Sequence, residues 1–328
     1  METKQEMYDL IIVGAGPVGL YAAYYAGMRG LTVKIIENFD EAGGQPLNLY
    51  PEKHIFDVAG LPVTDGVQLT ENLLEQLSHI DYELILGAQV SNVSKTDKVF
   101  TVQTQQATYQ SKAVLLATGN GLLKPRTLGV DGEAEAAEQG RLAYLIKNLE
   151  DYAGRTVAVL GGGDSALDWA LELEKVAAEV HLIHRRLEFR AHEATVDVVK
   201  KSSVMIHTPY TASAVTEDGL IIKKVKEDTT EELKVDKILV FYGFLTEATE
   251  IIEGLELTPR MQISVGPAMR TNISGLYAAG DCCDYEGKLP LIAVGFGEAV
   301  AAVNDMTKQL KFDHALRKGH SSSIFGEK

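Results

Sequence analysis

The sequence predicts an α/β protein built from two similar three-layer domains, and three observations carry that prediction. A glycine-rich turn follows an apolar strand twice, near the start of the chain and again in mid-chain. In both copies the residue that ends the next strand lies 23 positions after the first glycine: Glu37 after Gly14, and His184 after Gly161. Each copy then closes with an apolar strand running into a glycine, Gly119 in the first and Gly243 in the second.

The first copy opens with a buried strand from Tyr8 to Val13, the turn Gly14-Ala15-Gly16-Pro17-Val18-Gly19, and a helix running toward Arg29. A strand from Thr32 to Ile36 follows. Alternating segments from Leu84 to Tyr109 predict an antiparallel meander, and Ala113 to Gly119 closes the copy. The second copy runs in the same order. It has a strand from Thr156 to Leu160, the turn Gly161-Gly162-Gly163-Asp164-Ser165-Ala166 and a helix over Leu167–Ala178. A strand from Glu179 to Ile183, a meander from Ser213 to Leu233 and a strand from Lys237 to Gly243 complete it. The residues from Phe244 onward are too few for a third copy. They carry a strand from Ile273 into Gly280-Asp281 and a helix over Ile292–Leu310, and are expected to return to the first domain. The expected domains are therefore 1–121 with 244–328, and an inserted 122–243. Gly119, Gly121 and Gly243 stand at the crossings, where glycine absorbs backbone rotation.

Each turn has the chemistry of a pyrophosphate cradle, so the three-layer domains are Rossmann-like. Gly14 makes the tight turn, Gly16 admits the phosphates to the backbone, and Gly19 lets the helix pack closely. Pro17 suits the first helical position, where its missing N–H costs nothing. Glu37 is placed to accept hydrogen bonds from an adenosine ribose. In the second turn Gly161, Gly163, Asp164 and Ser165 stand in the corresponding places, with small Ala166 replacing the third glycine. The acid is replaced there by His184-Arg185-Arg186, with Arg190 close behind. Guanidinium groups bind a 2′-phosphate that a carboxylate would repel. At about 1.5–3 kcal/mol per charged contact, two of them favour NADPH over NADH by roughly two orders of magnitude.

Composition excludes several classes. With 328 residues, 45% hydrophobic and 23% charged, the chain can bury two cores without disulfides or metals. A net charge of −15 argues against nucleic-acid binding, which needs a basic face. No run is long and apolar enough to span a membrane. The polar start, Met1 to Tyr8, lacks signal-peptide character, so a cytoplasmic protein is expected. The two cysteines are the adjacent Cys282 and Cys283, expected to be structural.

The segments GGGDSALDWA and HRRLEFRAHE, with Ala117-Thr118-Gly119 and Ala279-Gly280-Asp281, resemble the thioredoxin reductases, members of the glutathione/thioredoxin reductase-like fold. That family carries Cys-x-x-Cys at the start of its NADPH domain, whereas Val130 to Val157 here contains no cysteine. The chain is more similar to the ferredoxin/flavodoxin–NADP⁺ reductases of thioredoxin-reductase type. The similarity lies in Gly43-Gly44-Gln45-Pro46, Leu49-Tyr50-Pro51, Asp57-Val58-Ala59-Gly60, Tyr285-Glu286-Gly287-Lys288 and the tail His320-Ser321-Ser322-Ser323-Ile324-Phe325. The resemblance implies FAD in the first domain and NADPH/NADP⁺ in the second. It implies contacts to FAD from Glu37, Gln45, Val90, Gly119, Leu123, Asp281 and Ser322. Tyr50 would stack on one flavin face, and His320 from the tail of a partner subunit on the other, in a homodimer. Leu123 departs from the family's usual phenylalanine before Lys-Pro-Arg.

The same resemblance implies a mechanism without a protein acid or nucleophile. A hydride passes from NADPH to the flavin, which releases electrons singly to ferredoxin or flavodoxin. The helix after Pro290 would aim its positive end at the flavin pyrimidine edge, and the tail would act as a gate. Acidic carriers need a basic docking patch, for which Lys53, Lys124 and Arg126 are candidates. Two rival readings stay open: a low-molecular-weight disulfide reductase using one cysteine, and a non-catalytic flavin-binding sensor.

Overall fold

Six residues in a row, Tyr8 to Val13, are buried behind exposed Met7, a run suited to a strand covered on both faces. In the computed structural model, which describes residues 7–146, 148–247, 251–310, 312, 316–317 and 321–325, this strand is central to its sheet. The chain forms two compact units: residues up to Leu122 with those from Glu247 onward, and Leu123–Thr246.

In the first unit β1 (Met7–Val13) pairs in parallel with β2 (Val33–Ile36) and β6 (Thr108–Leu116), and β3 (Glu83–Ile85) adds to β2. The N-terminal half of β6 continues into an antiparallel meander with β5 (Val99–Thr104) and β4 (Val90–Thr96). Its C-terminal half takes β18 (Leu276–Ala278) in parallel, so the chain's last third completes the sheet begun by its first. The meander expected from Leu84 instead begins at Val90. Leu84 lies in β3, pairing in parallel with Ile35, because Gly87 and Ala88 donate to the Phe39 and Glu37 carbonyls and hold that segment along the end of β2.

Helices cover one face of this sheet. They are α1 (Pro17–Met28), α3 (Gly66–Leu77), whose Asp65 cap accepts the Gln68 N–H, and α7 (Ile292–Gln309). Leu20, Leu73, Leu115, Val303 and Met306 form the core between them. On the other face Ile11, Val93, Phe100, Ile263 and Cys283 make a second core, topped by the short pair β17 (Ile263–Ser264) and β19 (Cys283–Asp284). A short helix, α2 (Gly44–Leu49), follows the first turn, and α8 (Ser321–Phe325) lies in the tail.

The second unit repeats the plan. Its parallel sheet has the order β11 (Met205–His207), β10 (Glu179–Ile183), β9 (Thr156–Leu160), β15 (Lys237–Val240) and β8 (Leu142–Ala143). A separate antiparallel sheet holds β12 (Tyr210–Val215), β13 (Gly219–Lys224) and β14 (Thr230–Lys234). The helices are α4 (Glu133–Glu138), α5 (Asp164–Glu174) and α6 (Glu193–Val199). Strands β7 (Leu122–Pro125) and β16 (Phe244–Glu247) pair at the two crossings. Helix α5 starts three residues before the expected Leu167, since Gly163 is its cap, and stops at Glu174. Its expected last turn is lost because Val176 O accepts from Gly154 and Ala178 N donates to Arg155 O, which turns the chain toward β10.

The repeat holds to the level of single hydrogen bonds. Val13 lies opposite Ile36 and Leu116, and Leu160 opposite Ile183 and Val240. Gly14 N–H donates to Ile36 O at 2.8 Å, and Gly161 N–H to Ile183 O at 3.0 Å. Ala117 N–H donates to Val13 O at 2.8 Å, and Phe241 N–H to Leu160 O at 2.7 Å.

Phe100 is fully buried in β5, with Gly275 so close that a Cβ there would lie 3.0 Å from its ring. Phe100→Ala should lower the unfolding free energy by about 3–5 kcal/mol, read by urea denaturation followed by circular dichroism.

Candidate functional site

At the first turn, Gly14 has φ +107°, and a Cβ there would stand 2.4 Å from the Ala117 carbonyl oxygen. A Cβ on Gly19 would stand 2.0 Å from the Gly14 oxygen. Both glycines are therefore required by the turn itself. Gly16 differs: its Cβ would meet only the Gly44 Cα, at 3.7 Å. Helix α1 begins there with Pro17, has no side-chain cap and has no acid in its first turn, which leaves a positive helix end open toward an anion. Gly43 donates to Ala15 O at 2.8 Å, and Gly44, at φ +61°, presses on Gly16.

Glu37 closes the turn from the side. Its Oε2 accepts the Ala15 N–H at 2.6 Å and its Oε1 the Phe39 N–H at 2.9 Å. Burial pushes its pKa up, and these N–H groups, with that of Asn38, pull against the rise. A carboxylate offers about four acceptor sites, so Glu37 keeps capacity for a ribose while bracing the turn. Its carbonyl accepts the Ala88 N–H, two residues before buried Val90.

Farther along the unit, the Asn120 amide donates to Gln45 Oε1 at 3.4 Å, and Gln45 Nε2 lies against Gly119, at φ +58°. Burial raises the Tyr50 phenol, and the Asp281 and Asp57 carboxylates add to the rise, so these three groups are neighbours. Burial also raises Asp281, against the pull of Lys288. The structure thus brings Gln45, Tyr50, Gly119 and Asp281 to one region. Sequence reasoning missed Asn120, whose only signal was its place after Gly119. Ser322 is exposed on α8, with no hydrogen bond among the described residues. His320 and the Leu123 side chain lie outside the described residues.

The second turn uses its glycines differently. A Cβ on Gly161 would fall 2.7 Å from both the Ala166 methyl and the Phe241 oxygen, and one on Gly162 would fall 2.2 Å from the His184 ring. Gly163 has nothing within 4 Å of that position, and it begins α5 without a side-chain cap. Both cradles have room for a phosphate group, since each starts an uncapped helix beside a glycine with open space, although α5, unlike α1, carries an acid, Asp164, in its first turn. Asp164 is exposed, and its Oδ1 accepts the His192 N–H at 2.8 Å; Ser165 is exposed beside it.

His184 is buried beneath this turn, stacked on Phe189 at 5.3 Å, with Nε2 3.2 Å from Glu188 O. Burial lowers its pKa; the contact with the Glu188 carbonyl opposes this, and the nearby arginines push it lower. The ring is a neutral packing element that shapes the loop. The exposed Arg185, Arg186 and Arg190 supply the charge, with no ion pair among the described residues. Arg190 N–H donates to Gly162 O at 2.7 Å, fastening the arginine loop to the glycine turn.

Both thiols are buried. Cys282 Sγ lies 3.3 Å from Leu116 O and 3.2 Å from Ala279 O, and Cys283 Sγ 3.3 Å from Gly280 O. Among the described residues no cluster could hold a metal, and no helix is long and apolar enough to cross a membrane.

The pyridine nucleotide-disulphide oxidoreductase family matches residues 8–305. The ferredoxin–NADP reductase of Lactococcus lactis subsp. cremoris is 58% identical over 317 residues, which cover 97% of this chain and 99% of that protein. Ferredoxin–NADP reductase 2 of Listeria innocua is 45% identical over 332 residues, 99% of this chain and all of that one. The chain belongs to the ferredoxin–NADP reductase family. Among solved structures, this reductase resembles the thioredoxin reductase of T. acidophilum, with TM-score 0.77, 24% identity, and 92% and 98% of the two chains covered. It also resembles the bacillithiol disulfide reductase of Staphylococcus aureus, with TM-score 0.74, 19% identity, and 93% and 100% covered. At that identity the likeness establishes a common fold. The reductase departs from a dithiol mechanism in having no Cys-x-x-Cys anywhere in its sequence.

The glycines divide by what a methyl would strike. Gly163→Ala and Gly16→Ala should leave the melting temperature near that of the unchanged protein while weakening binding of the nucleotide at that turn. Gly19→Ala and Gly162→Ala should lower it clearly, since backbone or a buried ring must move. Differential scanning fluorimetry beside nucleotide titrations separates the two groups.

Proposed function

We propose that this oxidoreductase holds FAD in its first unit and NADPH in its second, and passes electrons between NADPH and a one-electron carrier protein, ferredoxin or flavodoxin. The observation that carries the proposal is the pairing of two open phosphate cradles with a chain whose only thiols are buried and adjacent. Bound FAD would supply the conversion of a two-electron hydride into single electrons.

The protein's part is binding and field. The N-terminus of α1 and the bare backbone at Gly16 would hold the FAD pyrophosphate, with Glu37 and the Val90 segment at its adenosine end. Gln45, Gly119, Tyr50 and Asp281 would hold the flavin end, Tyr50 by stacking and Asp281 by accepting from the ribityl chain. Helix α7 has neither a side-chain cap nor an acid in its first turn, which suits it to stabilise negative charge on the reduced ring. Gly163, Asp164, Ser165 and the start of α5 would take the NADPH pyrophosphate, with Arg185, Arg186 and Arg190 on the 2′-phosphate. His184 supports this site from beneath.

A homodimer is proposed on the tail's resemblance to the family, with His320 and Ser322 serving the partner's flavin. The docking surface for an acidic carrier stays a proposal. Lys53 and Arg126 are exposed, and the Lys124 side chain lies outside the described residues. A disulfide reductase with a single cysteine loses support, because Pro17-Val18 occupies the first turn and both thiols are buried.

Replacing Arg185 and Arg186 with glutamate should raise the KM for NADPH by roughly two orders of magnitude while leaving that for NADH nearly unchanged. Steady-state kinetics with each nucleotide would check this, and an unaltered preference rejects the phosphate role. Cytochrome c reduction driven by NADPH, with ferredoxin or flavodoxin added separately, should be stimulated by at least one of them. Deleting residues 319–328 should leave FAD bound but change the rate of flavin reduction or reoxidation in stopped-flow traces.

A further inference from the structure

Gly280, the residue before Asp281, is held at its N–H and at its carbonyl by a buried ion pair. Glu298, on α7, accepts the Gly280 N–H on Oε2 at 2.7 Å. Lys288 Nζ donates to the Gly280 carbonyl at 3.0 Å and to Glu298 Oε1 at 2.5 Å. Tyr285 O–H donates to the same Oε1 at 2.8 Å. The Lys288 and Glu298 side chains are only 7% and 3% exposed.

Burying two charges carries a desolvation cost of several kcal/mol per ion, and an apolar pair of like volume often serves folding equally well. Stability alone therefore gives little reason for this pair. What it does is local: its hydrogen bonds converge on a single residue, holding the peptide groups on both sides of Gly280. Gly280 is also wedged sterically, since it has φ +81° and Cβ atoms on Gly280 and Gly295 would stand 3.2 and 2.5 Å from Val18 Cγ2.

We propose that Lys288 and Glu298 are positioning residues for the flavin, pinning the Gly280 peptide so that the Asp281 carboxylate is presented to the ribityl chain. This rests on FAD occupying the first unit. It accounts for Tyr285 and Lys288, the ends of a segment that the binding contacts otherwise leave without a task. The pair also bears on the charge of Asp281, with opposite signs from its two members. Burial raises that carboxyl, Lys288 lowers it, Glu298 raises it and Asn120 lowers it through a hydrogen bond. Tyr50 faces it from the end of α2, while Tyr285 and Cys283 border the pair itself.

The signs follow directly. Removing the Lys288 cation raises Asp281 further, so its carboxylate is lost sooner as pH falls. Removing the Glu298 charge leaves Lys288 uncompensated and keeps Asp281 ionised to lower pH. Deflavinated protein titrated with FAD, followed by flavin fluorescence across the acid-to-neutral range, reads both effects. Lys288→Met should bind FAD about tenfold or more weakly, with the acid limb of affinity moved to higher pH, and Lys288→Arg should recover most of the loss. Glu298→Gln should move the acid limb to lower pH. The double variant Lys288→Met/Glu298→Met removes both charges in a way folds tolerate, and should still bind FAD about tenfold more weakly because the Gly280 N–H loses its acceptor and the carbonyl keeps only its contacts with Cys283. Unaltered FAD affinity in a folded double variant overturns the proposal, as do acid limbs that move in the same direction in the two single variants. An unchanged protein that fails to take up FAD overturns instead the reading on which it rests.

Discussion

Backbone meets backbone at the top of each parallel sheet, and the rest of the molecule depends on how little room is left there. The carbonyl of Ala117 reaches so close to Gly14 that no side chain can stand between them, and Phe241 does the same to Gly161. The strands end level with one another because the first glycine of each turn donates to the last residue of the neighbouring strand. Level strand ends bring three loops together above the sheet, the arrangement in which a doubly wound α/β fold forms its ligand crevice. The helix that follows then starts with free N–H groups pointed into that crevice.

From this shared frame the two units diverge in charge. In the first, Glu37 is drawn into the turn and bonded to two backbone N–H groups, so the acid braces the fold as well as offering acceptors outward. In the second, that inward place belongs to a neutral histidine packed on Gly162, and the charge moves one step outward to exposed arginines. A bracing group must be buried and partnered, while a group that selects a phosphate must stay free until the ligand arrives. The same strand-end position performs the first task in both copies. With nucleotides bound as proposed, only the first copy would add recognition at that residue, and the second would give it to the loop that follows.

Much of this was legible in the sequence because it is local or periodic. The glycine turns, their strands and helices, and the matched 23-residue spacing declare themselves within about forty residues, the size of one βαβ unit. Return of the last third of the chain was legible too, from the strand entering Gly280-Asp281. What could not be read were contacts joining distant residues through space. Asn120 meets Gln45 across 75 positions, and Glu298 reaches Gly280 from a helix whose pattern shows only that this face is buried. His184 was legible as a strand end but not as a packing residue, since its partners Gly162 and Phe189 gain that meaning only when the loop folds back. The meander begins later than expected for a related reason: Leu84 and Ile85, the two apolar residues of β3, look alike whether the strand runs parallel or antiparallel.

The position of sulfur in this fold constrains the chemistry more than any residue at the cradles. A thiol relay needs a thiolate that can reach both the reduced ring and an outside disulfide, and it must exchange bonds as it cycles. Cys282 is held against two carbonyl oxygens, and a hydrogen bond with Cys282 together with burial pushes the Cys283 thiol up. Both thiols are buried away from any outside disulfide, and no third cysteine exists to resolve a mixed disulfide. These thiols belong to the second core and the Gly280 turn, where small, weakly polar side chains pack well. A flavin held beside that turn would have no sulfur to which it could pass an electron pair. Its electrons would then leave from the ring itself, which favours a carrier able to accept them one at a time at the protein surface.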